Sequence, residues 1–466
     1  MADLEAFKTD FRGDIITPSD PGYEDAIFRW SRNGIRRAQI VTFPKDETGV
    51  AQAIAYSRQV GLPLAIRGGG HSASGASSTD GLVVDLSKYF DRVRIDPNKK
   101  LAYVGGGTLW GAVEKAAIQH GLATVGGTVN HTGCGGLIVG GGYGWLSGKY
   151  GLAIDNLVQA TVVTANGSTI TANSAENSDL FWGIRGGGCN FGIVTEFVLK
   201  LYPQRRTVYA GFVIFSPEKL ETLATAVQSW WLNGPTENEA MMFVQAASQF
   251  GQPPAVILNL FYNGSEEEGR KNYKTLLDIG PIADMSKEIP FEKLNEVQNH
   301  LAVHGRNNYE KGTYHSPNFD LPGRAARTYE LVKRFHEMGK FETFIACELF
   351  PMGKVNSVPN DATAFRRGRR TNVITNLTWD DDEPGKYALA KESASQLIAT
   401  MGDVNPAEAV GYGNYSSDAL PAQGTIAEDR SRILFDSNYP RLQELKRKYD
   451  PDMVFNKWFV VTPAAG

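Results

Sequence analysis

Glycine constrains this chain of 466 residues more than any other feature of its sequence. About half of its 50 glycines fall between residues 65 and 195, clustered at 68–70, 105–107, 133–144 and 186–192. A residue without a Cβ lets the backbone turn tightly, reach positive φ and come within hydrogen-bond distance of a bulky neighbour. The first cluster follows an apolar run, Leu62-Pro63-Leu64-Ala65-Ile66, and reads Arg67-Gly68-Gly69-Gly70-His71-Ser72. It sets a lone histidine behind three glycines, so the imidazole points at whatever the loop holds.

A chain of this length exceeds what one hydrophobic core usually serves, and two domains are expected. Hydrophobic content of 42% and charged content of 21% are those of an ordinary soluble protein. A formal net charge of -4 argues against a nucleic-acid partner, which calls for a basic patch or stripe. No apolar run approaches the roughly 20 residues of a membrane helix, so no membrane partner is expected. The opening Met-Ala-Asp-Leu-Glu-Ala-Phe-Lys lacks the basic and apolar regions of a signal peptide, and a cytoplasmic location follows as an expectation. Cys134, Cys189 and Cys347 are odd in number and widely spaced, which suits reduced thiols and neither a disulfide framework nor a metal knuckle.

The glycine-rich half alternates short strands with loops. Strands are predicted over Leu82–Leu86, Leu101–Val104 and Gly192–Leu201, a helix over Leu109–His120, and a hairpin with Asn166-Gly167 at its turn. After Pro203 the texture changes to longer strands (Val208–Phe215, Met241–Gln245, Ala255–Tyr262, Thr343–Phe350, Asn372–Trp379) and longer helices (266–277, 324–338, 386–401). That pattern predicts an α+β domain on an antiparallel sheet. The boundaries are set at 1–205, 206–410 and 411–466, the last segment returning to the first domain.

The common phosphate loops fail on spacing. Gly148-Lys149 lacks the glycine and the Ser or Thr of a Walker loop, and no cluster gives G-x-G-x-x-G between a strand and a helix. Several loops offering backbone N–H groups can instead grip a long pyrophosphate-bearing molecule as successive anion nests.

Four motifs then converge: R-G-G-G-H at 67–71, G-x-G-G-L-x-x-G-G-G-Y-G at 133–144, D-L-F-W-G-I-R-G-G-G-x-N-F-G-I-V-T at 179–195, and K-Y-D-P-x-x-V-F-N at 448–456. Together they resemble the berberine-bridge-enzyme-like branch of the vanillyl-alcohol-oxidase flavoprotein superfamily. The resemblance implies a two-part PCMH-type FAD-binding domain with the α+β substrate domain inserted, and FAD bonded covalently through His71. It further implies cofactor contacts from Arg67, Gly68, Gly69, Gly70 and Ser72, and from Gly133, Gly135, Gly136, Gly140, Gly141, Tyr143 and Gly144. Gly192, Ile193, Val194, Asn414 and Asn456 complete that set, and no metal is implied.

Departures from the family pattern refine the expectation. The cysteine that gives many relatives a second flavin bond is replaced by Val129, so a single tether through His71 is expected. Thr132 stands where a valine looks like an oxidase. Tyr415, in Tyr412-Gly413-Asn414-Tyr415, matches the tyrosine that serves as base in several members, and Tyr143 is expected to border the substrate. An unperturbed tyrosine titrates near 10, so the base role requires a positive charge or strong hydrogen bonds nearby. The family's alternative acid or amide position is occupied by Ile374, so no carboxylate base is expected there.

The function implied is an FAD-dependent oxidoreductase, with an oxidase favoured. It passes hydride from a C–H next to O or N of a small alcohol, amine or sugar to the flavin, with O2 as acceptor. A dehydrogenase poorly reactive with O2 and a non-redox cyclase on the same fold remain alternatives. His300-x-x-x-His304 has helical metal-ligand spacing but reads as an ordinary helix pair. The arginines at 366, 367, 369 and 370 read as a solvated edge.

Overall fold

The computed structural model describes residues 4–247, 254–368, 371–402, 410–419 and 427–465. The glycine-rich half divides its strands between two sheets. In one, Ile40–Pro44, Leu82–Asp85 and Leu64–Arg67 run parallel, and Gly13–Ile16 adds an antiparallel edge. Parallel strands are covered on both faces. Leu82 and Val84 pack with Val50 and Ile54 of the helix Glu47–Val60, while Val83 packs with Tyr23 and Ile27 on the other side. That helix starts where the Asp46 carboxylate accepts the Gly49 N–H and stops at Gly61 in the left-handed region.

The second sheet is antiparallel, in the order Val93–Asp96, Leu101–Gly105, Ile193–Lys200, Leu157–Val163, Thr169–Asn173. The Asn166-Gly167 hairpin closes as predicted, with Gly167 at φ 82° and the Asn166 side chain accepting the Ser168 N–H.

Beyond Pro203 lies an eight-stranded antiparallel sheet. Six of its strands run in the order Thr207–Phe215, Ala255–Tyr262, Glu239–Ala247, Glu342–Leu349, Thr371–Trp379 and Asn307–His315, the last at the edge. The period of two sends Phe243, Ile345, Cys347, Val373 and Leu377 to one face, where the helices Leu220–Leu232, Leu321–Glu337 and Lys386–Met401 cover them. The opposite face carries Met242, Ala246, Phe344, Glu348, Ile374, Asn376 and Thr378 and turns towards the glycine loops.

Two details differ from the sequence expectation. The helix over 266–277 is two short ones, Glu266–Asn272 and Lys274–Leu277, broken at Tyr273. The Tyr273 ring is buried there, and its hydroxyl donates to the Phe261 carbonyl at 2.7 Å. The edge strand Asn307–His315 was not anticipated, because Asn-Asn-Tyr-Glu-Lys-Gly-Thr-Tyr-His has no aliphatic residue to mark an inward face.

The C-terminal segment packs on the glycine-rich half. From the helix Tyr439–Tyr449, Lys446 is fully buried and donates to the Asp450 carboxylate (2.7 Å), the Asn190 carbonyl (2.8 Å) and the Phe455 carbonyl (2.6 Å). Asp450 in turn accepts the N–H groups of Val454 and Phe455. Lys446, with Asp450 of the K-Y-D-P motif, thus forms the knot that closes the tail onto the loop at 186–192. No helix of the described residues is long and apolar enough to cross a membrane.

Candidate active site

Three of the glycine clusters meet at one wall. A Cβ on Gly69 would lie 2.5 Å from the Cα of Gly133, so the two loops touch back to back only because both positions are glycine. Gly68 and Gly135 abut the Gly106 carbonyl, where added Cβ atoms would sit 2.9 and 2.6 Å from its oxygen. These loops, the C-terminal segment and the polar-bearing face of the large sheet enclose a cavity of about 520 Å³. That volume is in the range of cofactor and substrate pockets.

His71 lines this cavity. Its ring stacks on Trp30 with centroids 4.4 Å apart and 8° between planes, and His131 lies 5.1 Å away on another side. Burial, reinforced by His131 and His304, pushes the His71 imidazole down to about 3, so it is neutral at ordinary pH. Its Nε2 is buried and has no hydrogen-bond partner among the described residues. An imidazole that is neutral, wedged in place and left with an unsatisfied ring nitrogen suits a reactive contact with a cofactor, and the side-chain-free loops beside it leave room for one. The residues present therefore fit an FAD.

The sheet supplies the opposite wall. In antiparallel register Phe344, Asn376 and Glu310 form one row across three strands, and Glu342, Thr378 and Asn308 form the next. Glu348 lies on the same face and is 2% exposed. Its two carboxylate oxygens accept from the Tyr415 hydroxyl (2.8 Å) and from the Asn372 side-chain amide (2.9 Å). Burial raises its carboxyl to about 7, and those two hydrogen bonds hold it from rising further.

This arrangement gives Tyr415 a partner that the sequence reading did not anticipate. The base role asked for a positive charge or strong hydrogen bonds beside the phenol, and the structure puts a carboxylate there that accepts the phenolic hydrogen. Burial first, then the charges of Glu348, drive the Tyr415 hydroxyl well above 10, and its proton is already committed to Glu348. The group able to take a proton near neutrality is Glu348. Ile374 does occupy the wall, as its sequence position suggested, but the carboxylate comes from the adjacent strand. The signal in sequence was a single acid inside the apolar run Thr343 to Phe350. Glu310, pushed up to about 8 by desolvation, was missed for the same reason as its strand.

Among the expected cofactor contacts, Gly68, Gly69, Gly70, Ser72, Gly133, Gly135, Gly136 and Gly140 line the cavity with His71. Gly192, Val194, Asn414, Tyr143 and Tyr415 do so as well. Asn414 takes the space that Gly140 leaves free, and its amide donates to the Tyr412 hydroxyl at 2.7 Å. Five residues stand outside. Arg67 pairs with the buried Asp85 at 2.8 Å and braces the strand instead. Gly141 packs against Phe365, Gly144 against the Gly126 carbonyl, and Ile193 belongs to the core around Val163. The Asn456 amide donates to the Met453 carbonyl and shapes the tail.

The weaker sequence signals resolve differently from expectation. His300 and His304 do not share a helix: His300 ends up in a 3₁₀ turn, Asn299–Leu301, edge-on to Phe212, and His304 stands 4.5 Å from His131. Arg366 and Arg367 are not a solvated edge. Arg366 donates to the Ile433 carbonyl, and Arg367 is buried against Asp155. Arg369 and Arg370 lie outside the described residues. Val129, Thr132 and Cys189 all line the cavity, and burial lifts the Cys189 thiol to about 11.

Comparison with known proteins agrees with this architecture. The FAD binding domain family matches residues 38–173, and the berberine and berberine like family matches residues 411–457. The chain is 36% identical to the (R)-6-hydroxynicotine oxidase of Paenarthrobacter nicotinovorans, covering 99% of both chains. It is 33% identical to an FAD-linked oxidoreductase of Aspergillus terreus, covering 99% of this chain and 96% of the relative. The crystal structure of 6-hydroxy-D-nicotine oxidase from Arthrobacter nicotinovorans superposes with a TM-score of 0.84 at 26% identity, over 98% of this chain and 99% of that one. A carbohydrate oxidase from Microdochium nivale shares the fold, with a TM-score of 0.84 at 22% identity over 99% of this chain and 100% of that one. Whole-length relatives at these identities, with a glycine-lined cavity between an FAD binding domain and a berberine-like tail, place the chain in the PCMH-type family of FAD-linked oxidoreductases.

Proposed function

We propose that this protein is an FAD-dependent oxidase that removes a hydride from a C–H next to O or N of a small alcohol, amine or sugar, with Glu348 as the base. The observation that carries this is the Glu348 carboxyl, buried on the cavity wall, titrating near neutrality and held at both oxygens. When bound, FAD supplies a two-electron acceptor for the hydride and a route for those electrons to O2.

His71 would hold the cofactor through a covalent bond from its unprotonated imidazole. Val129 has no nucleophile and the Cys189 thiol stays protonated, which leaves a single tether. Glu348 takes the proton from the substrate O–H or N–H, while Asn372 and Tyr415 keep its oxygens aimed. Tyr415 positions Glu348 and returns hydrogen-bond support as the charge on the carboxylate changes. Tyr143, edge-on to Tyr412 at 5.0 Å, borders the substrate with its hydroxyl protonated throughout.

The test has two stages. Acid-precipitated protein should remain yellow and carry the added mass of one FAD, and His71→Ala should lose both properties. Anaerobic addition of sugars, phenolic alcohols and cyclic amines should then bleach the visible absorbance with one class, and air should restore it with release of hydrogen peroxide. A second outcome is favoured by one observation, the polar Thr132 on the cavity wall: fast bleaching, slow recovery in air and fast recovery with an artificial acceptor define a dehydrogenase. Product formed without any bleaching defines a non-redox cyclase. Colourless native protein overturns the proposal altogether.

A further inference from the structure

The hydrogen-bonding groups of the substrate wall are unequally satisfied, and at the row of Glu310 and Asn376 the imbalance has one sign. Arg306 is the sole Lys or Arg among the described residues lining the cavity. It is already spent on Glu342 (2.8 Å) and, through two nitrogens, on Asp380 (2.7 and 2.9 Å). Lys311, next in sequence to Glu310, is on the other face of its strand, where Asp418, Lys391 and Arg430 are the charges it feels. The Asn308 side-chain oxygen is satisfied by the Asn376 amide (3.0 Å) and the Thr378 hydroxyl (3.1 Å).

On the row of Glu310 and Asn376, what remains unsatisfied is acceptor once the acid is ionised. Glu310 lines the cavity half-buried, and its carboxyl has no hydrogen-bond donor and no ion-pair partner among the described residues. Asn376, directly opposite it across the strand pair, leaves its side-chain oxygen buried without a partner. Glu348, four residues along its strand from this row, already has both oxygens occupied by Tyr415 and Asn372. A half-buried acid beside an orphaned carbonyl is poorly satisfied until a donor arrives, and a cationic donor favours its ionised form far more than a neutral one does.

We infer that Glu310, with the Asn376 side-chain oxygen, is the counter-ion site for a substrate carrying a protonated amine. This rests on the assignment of the cavity to a small oxidisable substrate, and narrows its class from alcohol, amine or sugar to amine. The contact is one of binding: it makes and breaks no covalent bond, and the proton leaving the reacting centre goes to Glu348. An anionic substrate meets the acid of Glu310 with no uncommitted Lys or Arg beside it among the described residues, and is disfavoured. A sugar would bring many hydroxyls to a wall whose remaining vacancies are few and clustered at one point.

The experiment uses the FAD-loaded protein and a set of pyrrolidines and piperidines, each matched to its uncharged ether isostere (2-phenylpyrrolidine against 2-phenyltetrahydrofuran, for example). Binding is read from the perturbation of the visible flavin spectrum, and turnover separately from peroxide. Amines should bind and ethers should not. Glu310→Gln should weaken amine binding roughly 10- to 100-fold, the range of a charge-assisted hydrogen bond, raising KM with little change in kcat. Asn376→Asp, which adds a second negative charge at the same point, should tighten amine binding and leave the ethers unaffected. Ethers binding as well as amines, Glu310→Gln binding amines at the parental level, or no amine binding at all would each overturn the inference. Peroxide release from sugars or phenolic alcohols alone sinks the amine assignment while leaving the oxidase standing. Failure of every class to bleach the flavin sinks the oxidase itself.

Discussion

Tyr415 donates its phenolic hydrogen to Glu348 across 2.8 Å, and in the proposed function the tyrosine positions the carboxylate that takes the proton. The pairing fixes the direction of the pH response. Without that donor the ionised form of Glu348 loses support, and its midpoint, near 7 in the parent, moves up. In Tyr415→Phe the rise of kcat/KM with pH should therefore shift to higher pH, with rates recovering at the alkaline end. A tyrosine acting as the base itself would leave no recovery at any pH.

Glu348→Gln retains the shape and removes the proton acceptor. We expect kcat to fall by about 10²- to 10⁴-fold, the usual worth of a positioned general base. Cofactor content, read from visible absorbance and protein mass, should be unchanged. Equal loss of cofactor and rate would mean the side chain is structural.

Glu114 offers a stability test away from the chemistry. Burial raises its carboxyl to about 8 against an ordinary 4.5, one oxygen accepting from Asn295 and the other left without a partner. A carboxyl raised on folding contributes its stability below the unfolded value, and that contribution is lost as pH climbs through the folded one. The parent should lose melting temperature between about pH 5 and pH 9. Glu114→Gln should match it at the acid end and melt several degrees higher at the alkaline end.

The Lys446–Asp450 pair is fully buried at both ends. Asp450→Ala strands an ammonium with two carbonyls and no anion, and releases the N–H groups of Val454 and Phe455. Removing one partner of such a pair costs roughly 3–5 kcal/mol, measurable as a lowered urea midpoint. Replacing both residues with apolar ones should recover part of the loss.

The glycine loops were legible because close backbone approach admits one residue type, and Gly69 against Gly133 shows that constraint directly. The tail motif was legible for a related reason, since its Asp450 accepts the N–H groups of Val454 and Phe455 within the same short segment. The carboxylates were not. Glu348 and Glu310 reach the cavity through strand register, a relation between segments distant in the chain, and no local pattern reports which face of an apolar strand an acid will take. The edge strand of Glu310 had no aliphatic period at all. Likewise Arg366 and Arg367, which a charge count places at the surface, are drawn inward by carbonyls and a carboxylate contributed from elsewhere.

Trp458 fills the space in front of Gly188, and Tyr412, Asn414 and Tyr415 complete the cavity that begins at Gly68. During synthesis the nascent amino-terminal half must therefore wait, its loops lacking their lid, until residue 458 has left the ribosome. Any cofactor captured earlier would be held by an unfinished clasp, which makes ligand retention a late event in the life of each new molecule.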